Sequence, residues 1–242
     1  SMMGERHRRA TALATRLVQE MGRLDRFTVL ACDTHCETLD AGWRTPGNQT
    51  AADVQQFLRD VTPDGASDPA GVLREAARRN PDGRREIVYI GDGTPTVGPA
   101  RPAVVRASLE GAIGPDTRVT AVAIGADADA DNLATLARAG GGVALPYVPG
   151  QREIEVVYAV LGATLGQSLR DVQVTLPAGV AQVAPAQVDT IVAGGEVLVA
   201  ARMNAPQVAG EVVLRGGLGD EPFERRSPLD VTASRSDGNA FV

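Results

Sequence analysis

Residues 88–98 read Val-Tyr-Ile-Gly-Asp-Gly-Thr-Pro-Thr-Val-Gly (VYIGDGTPTVG), and here an apolar run, Glu86 to Ile90, passes directly into Gly91-Asp92-Gly93. A short apolar run bounded by glycine reads as a buried strand. In an open parallel sheet ligands bind outside the carboxyl ends of the strands, so this reading places Asp92 where a functional carboxylate belongs. Taken alone, Asp-Gly is ordinary turn chemistry. It does not stand alone. Gly65-Ala66-Ser67-Asp68 puts a hydroxyl on a second loop at the same end of the sheet, and Ser1-Met2-Met3-Gly4-Glu5 puts another just before the first helix.

Working outward, strand and helix patterns alternate. From Glu5 to Gly22 the apolar positions Ala10, Leu13, Ala14, Leu17, Val18 and Met21 recur at three and four, which predicts an amphipathic helix. Phe27 to Cys32 predicts a buried strand and Glu37 to Leu39 a short second one. Helices follow at 50–61 and 67–79, the latter with Ser67 or Asp68 as N-cap and Pro69 at an early position. Then come a strand at 86–90, a helix at 99–113, a strand at 118–124, a helix at 129–139, a strand at 143–147 and a helix at 151–165. Such alternation is the sequence form of an α/β, doubly wound, mostly parallel sheet. After about Gly166 the period changes to two. Segments 171–176, 196–203, 211–215 and 229–232, separated by Pro, Gly and Asn, predict a small antiparallel β-domain over 166–242, following an α/β domain over 1–165.

Composition removes several functions. All the cationic side chains are arginine, 24 against 30 Asp and Glu for a net charge of −6, and no lysine occurs. A Walker A loop and a Schiff-base enzyme both need that amine. An acidic chain without a basic stripe also argues against nucleic acid as partner. Hydrophobic residues reach 43% but aromatics only 3%, so the core is built from Ala, Val, Leu and Ile, as suits helices on a parallel sheet. No membrane-length apolar run and no signal-peptide pattern occur within this stretch.

On its motifs the chain resembles the von Willebrand factor A (vWA) domain, and within it the type found in proteins similar to inter-alpha-trypsin inhibitor heavy chains, where vWA accompanies a second β-domain. The family's metal-ion-dependent adhesion site begins with Asp-x-Ser-x-Ser, often followed by Met-x-Gly, and Ser1-Met2-Met3-Gly4 resembles that tail. Its second element is a loop threonine in a Gly-Gly-Thr-Asp context, where this chain has Gly65-Ala66-Ser67-Asp68. Its third is a Thr-Asp-Gly-x-Pro-Thr-x-Gly stretch, matched by 91–98 with Gly91 in place of the threonine. The resemblance, which covers residues 1 to about 165, implies a divalent-cation-dependent protein-binding or adhesion module and no enzymatic reaction. Ser1, Ser67 and Asp92 would be ligands to Mg2+, or to Mn2+ or Ca2+, bound weakly. Magnesium takes oxygen ligands and keeps several waters, so hydroxyls with one or two carboxylates leave positions open. In the family one open position takes an acidic side chain of a protein partner. The alternative is a structural scaffold or interaction domain whose metal site is degenerate. Only the resemblance favours an extracytoplasmic or cell-surface setting.

The same comparison implies that the strand carrying Asp-x-Ser is absent from the chain as given. That strand would lie between Phe27 to Cys32 and Glu86 to Ile90. The expectation is therefore that another polypeptide or an upstream segment supplies it, or that those two strands close onto each other. Ser1 reads either as native or as a cloning remnant before Met2.

Other candidates carry less. Asp127, Asp129 and Asp131 mimic the start of a calcium loop, but Asn132 and Arg138 stand where its glycine and glutamate belong, so a solvated loop capping the next helix is expected. Cys32, His35 and Cys36 could suggest a metal, but strand alternation points His35 away from the two cysteines and no second ligand pair exists, so core thiols at a strand end are expected; a bridge between the cysteines would close too short a loop to stabilise much. His7, among Arg6, Arg8 and Arg9, reads as surface. Gly65-Ala66-Ser67-Asp68-Pro69 lacks the last glycine of a nucleophile elbow, and the Gly91, Gly93, Gly98 spacing is not that of a dinucleotide loop.

Overall fold

A computed structural model describes residues 4–62, 66–79, 85–114, 116–166, 168–185, 188, 190–192, 195–218 and 221–233. The chain divides into two compact units, Ser1–Gly166 and Gln167–Val242.

The first unit contains helices α1 (Glu5–Glu20), α2 (Asn48–Asp60), α3 (Pro69–Arg78), α4 (Pro102–Leu109), α5 (Ala130–Ala139) and α6 (Glu153–Leu165). Its strands are β1 (Leu30–Cys32), β2 (Cys36–Thr38), β3 (Arg85–Gly91), β4 (Thr117–Ile124) and β5 (Ala144–Tyr147). Strands β3, β4 and β5 form a parallel sheet in that order. Pleat alternation sends neighbouring residues of β4 to opposite faces. Val119 and Ala121 join Leu73, Val105, Leu109, Leu133 and Leu136 of α3, α4 and α5. Val122 and Ile124 join Leu13 and Leu17 of α1 and Val156, Val157 and Val160 of α6. This α/β sheet therefore carries helices on both faces, as its sequence pattern predicts. The loop from α5 to β5 runs tightly against β4, since a Cβ on Gly142 would stand 2.0 Å from the Val119 carbonyl oxygen. Helix α4 is shorter than its sequence pattern because Gly111, at φ 74, turns the chain out of the helix.

Among the described residues β1 pairs with β2 in an antiparallel hairpin and β3 pairs with β4. Strands β1 and β3 belong to different sheets, so the expected closure of Phe27 to Cys32 onto Glu86 to Ile90 does not occur. The physical reason lies in what holds the hairpin. Val29 and Leu39 pack with Phe27, Val18, Ala51 and Val54 beneath α1 and α2, and Phe27 bridges to Arg44. Strand β4 is buried along nearly its whole length, whereas Arg85 to Ile90 of β3 stay half-buried, as befits the edge of the three-stranded sheet. Cys32 and Cys36 face each other across the hairpin and form a disulfide, correcting the expectation of core thiols: cross-strand pairing, not a buried strand end, sets their place.

The second unit is antiparallel β structure: β6 (Ser168–Thr175), β7 (Val180–Ala184), β8 (Thr190–Val192), β9 (Ala200–Met203), β10 (Gln207–Leu218) and β11 (Glu221–Thr232). One sheet has the order β11-β10-β6-β8 and the other pairs β7 with β9. Leu169, Val172 and Val188 form its core with Leu214, Leu218 and Phe223. The β10–β11 hairpin stays in register from Gln207↔Thr232 to Leu218↔Glu221, much longer than the alternating segments 211–215 and 229–232. Pro222 and Pro228 are tolerated because β11 is an edge strand.

Candidate functional site

The site grows from the carboxyl end of β3. Asp92 is only 3% exposed. Its Oδ1 accepts the Thr94 backbone N–H at 3.2 Å, and its Oδ2 lies 3.4 Å from Nη1 of Arg6. The next turn is pinned by α5: the Asp129 N–H donates to the Asp92 carbonyl at 2.8 Å, and the Asn132 side-chain amide donates to the Gly93 carbonyl. Asp129 itself caps α5 by accepting the Asn132 N–H, as its sequence position predicts.

Ser67 is tied to the same loop. Its carbonyl accepts the N–H groups of Thr96 and Val97 at 2.9 and 3.0 Å, and its own N–H donates to Thr96 Oγ1 at 2.7 Å. Four residues after the carboxylate, the 92–98 loop is thus joined to the loop that opens α3. Asp68 is the N-cap of α3 and accepts the Gly71 N–H, with Pro69 at the start of the helix. Gly98, at φ 77, lets the loop pass this cap, since a Cβ there would stand 2.7 Å from Asp68 Oδ1. The structure therefore brings the loops of Ser67 and Asp92 together at one end of the sheet. Ser1 lies outside the described residues.

Gly91 also has a structural explanation. A Cβ at position 91 would meet the Tyr89 hydroxyl at 2.7 Å. The aromatic ring holds the space that a side chain at 91 would need. Loss of surrounding water, and then the negative charge of Asp92, push the Tyr89 hydroxyl well above the usual phenol range, against a hydrogen bond from the Gly93 backbone.

Arg6 belongs to no motif, yet it is central to the site. Its Nη2 donates to both carboxylate oxygens of Asp127 at 2.5 Å while Nη1 reaches toward Asp92. Arg6 holds the Asp127 carboxyl below the usual carboxylate range, chiefly through that hydrogen bond. Asp127 is therefore not merely a solvated loop residue, although its side chain stays 70% exposed. No local signal could reveal a pair 121 residues apart. His7 is likewise not a free surface residue: its ring is half-buried and Nε2–H donates to the Leu58 carbonyl of α2 at 2.7 Å.

The loops joined here carry hard oxygen donors, a buried carboxylate on one and a hydroxyl on the other, and in kind these fit a magnesium-like cation that keeps several waters. Among the described residues no group of three His, Cys, Asp or Glu side chains gathers to form an all-protein cage. No described helix is long and apolar enough to cross a membrane.

Residues 2–145 match the model of the von Willebrand factor type A domain, and the chain belongs to that family. No curated protein matches the sequence. Among solved structures the chain is similar to a von Willebrand factor type A protein from Catenulispora acidiphila, with 13% identity and a TM-score of 0.57, covering 94% of this chain and 62% of that one. It thus spans about three-fifths of that relative's length. It is also similar to proximal thread matrix protein 1 from the mussel byssus, solved with a zinc-occupied MIDAS motif, at 14% identity and a TM-score of 0.51 over 68% of this chain and 44% of that one. An aerotolerance-related membrane protein from Bacteroides fragilis NCTC 9343 aligns at 16% identity and a TM-score of 0.51 over 66% of this chain and 88% of that one. At these identities the likenesses speak for the fold alone.

Proposed function

We propose that the first unit is a divalent-cation-dependent protein-binding module and not an enzyme. The cation, Mg2+ or Mn2+, would be held by Asp92 and Ser67, with Ser1 as a further ligand, and would take an acidic side chain of a protein partner as its last ligand. The observation that carries this reading is the buried Asp92 carboxylate on a loop zipped to the Ser67 loop at the carboxyl end of a parallel strand. Bound there, the metal would supply a Lewis-acidic point for a carboxylate. The chain's own residues fix the loops and keep the Asp92 oxygens in place. Mussel thread matrix protein 1, whose site is described as zinc-occupied, lends the reading support by analogy only.

Two finer points belong to the same proposal. The order of an α/β unit followed by a β unit suits the inter-alpha-trypsin inhibitor heavy-chain-like branch, and an additional strand supplied by an upstream segment or another chain would lie beside β3. Burial of Asp92 also changes the choice of test. Asp92→Ala would leave Thr94 and Arg6 facing a void. Asp92→Asn keeps the shape. Calorimetric titration with Mn2+ is expected to show binding by the native chain and its loss in Asp92→Asn at unchanged melting temperature.

A second reading has its own observation. The guanidinium of Arg6 already lies beside Asp92, which favours a scaffold whose metal site is degenerate. Absence of Mn2+ binding in both proteins would support it.

A further inference from the structure

Arg6 stands in the first turn of α1, where the helix dipole disfavours a positive charge. The helix therefore gives no reason for it. Two carboxylates do, because one guanidinium spans them with unequal grip: Nη2 on both Asp127 oxygens at 2.5 Å, and Nη1 at a looser 3.4 Å from Asp92. The turn after β4 leaves room for this reach. Gly125, at φ 101, would with a Cβ stand 3.4 Å from Arg6 Nε and 3.1 Å from Asp127 Oδ1. Asp92 is buried and Asp127 open to water, so the firm anchor is the exposed residue and the loose contact is the buried one.

We propose that Arg6 is a built-in competitor for cations at Asp92, a latch parked on Asp127 that leans across the site and must withdraw before a divalent ion can bind. The inference rests on the cation-binding reading above and adds its regulation. A guanidinium cannot be deprotonated at working pH, so the latch opens by movement and not by titration. It confines binding to conditions in which the cation is abundant, or in which a partner carboxylate arriving with the cation adds the attraction needed to displace the arginine. Asp127 gives the displaced side chain a place to stay, which keeps the opening reversible.

The test is Mn2+ binding to the full chain, followed by calorimetry and by the electron paramagnetic resonance of free Mn2+, for the native protein, Arg6→Gln, Asp92→Asn and Arg6→Gln/Asp92→Asn. Removing the competing charge is expected to tighten binding about tenfold, within the usual range of coupling between two sites. Both proteins with Asn at 92 should lose it. In addition, MgCl2 should loosen Arg6, seen as faster exchange of its guanidinium N–H signals in nitrogen-15 spectra of the native chain. Native binding that is equal to or tighter than that of Arg6→Gln would overturn the latch while leaving the cation site standing. Binding by neither protein would overturn both. A tightening in Arg6→Gln that survives Asp92→Asn would show that the ion sits elsewhere, and that too defeats the latch. Circular dichroism melts check that each variant is folded, as expected because the Arg6 side chain is partly exposed and Asn keeps the shape of Asp92.

Discussion

A Cβ at position 93 would stand 2.4 Å from Cγ of Leu133, so the loop that carries Asp92 and the first turns of α5 approach more closely than any residue but glycine permits. Gly93 also sits at φ 70, in the left-handed region. Close approach and conformation act together to hold the candidate carboxylate in register with the helix behind it.

Gly93→Ala should therefore destabilise the chain by about 2–4 kcal/mol, combining left-handed backbone strain with overpacking against a fully buried leucine. Gly111→Ala, at φ 74 with nothing within 4 Å of its Cβ position, isolates the backbone contribution at about 1–2 kcal/mol. Urea unfolding of the two variants measures the difference. Equal losses would mean that Leu133 does not press on the turn.

Tyr89 and Gly91 should behave as a coupled pair. Gly91→Thr introduces the residue of the family motif and is expected to destabilise, because the Tyr89 hydroxyl and ring stand 2.7 to 3.0 Å from the new Cβ. Tyr89→Val in the same chain should restore part of the loss, giving an interaction energy of about 1 kcal/mol or more in a double-mutant cycle. Additive effects would place the cause of Gly91 elsewhere.

The Arg6–Asp127 pair makes a pH prediction. Arg6 depresses the folded-state pKa of Asp127, so the stabilisation is present above the ordinary aspartate pKa and disappears as pH falls through the lower folded value. Carbon-13 titration of the side-chain carboxyl should place Asp127 below the usual aspartate midpoint. In Arg6→Gln that midpoint should move back up. Because the carboxylate is exposed, the accompanying change in stability should be small.

Reduction of the Cys32–Cys36 disulfide should cost little. Its sequence separation of 4 closes a short loop, and chain-entropy estimates for so short a loop come to about 2 kcal/mol. Thermal melts with and without dithiothreitol should show a modest shift and no loss of the far-ultraviolet helical signal, since the hairpin and the β3–β5 strands form separate sheets.

How much of this was legible in the sequence follows from the range of each interaction. Asp68 and Asp129 as caps could be read because each reaches an N–H only three residues away. The parallel sheet and its helices were legible because β4 is a short, nearly continuous apolar run buried on both faces, while the helices follow their own three-to-four-residue period. Arg6 was invisible, since its partners Asp92 and Asp127 are 86 and 121 residues distant and nothing in Glu5-Arg6-His7 distinguishes it from a surface arginine. The disulfide escaped because the register of two three-residue strands, not the spacing of the cysteines, sets their facing positions. Strands β7 and β8 were missed for a related reason: at five and three residues, with glycine and proline close by, they depend on their partners more than on their own pattern. The loops of Ser67 and Asp92 could be named from their motifs, but the bonds joining Ser67 to Thr96 and Val97 came only with the fold.

A divalent cation bound where the Ser67 and Asp92 loops meet would perturb both loops at once. Titration of the nitrogen-15-labelled chain with MgCl2 tests it residue by residue. Saturable shifts of backbone amide signals are expected, concentrated in residues 66–68 and 92–97 and absent in Asp92→Asn. Shifts confined to residues 127–131, or spectra unchanged by the ion, would contradict binding there.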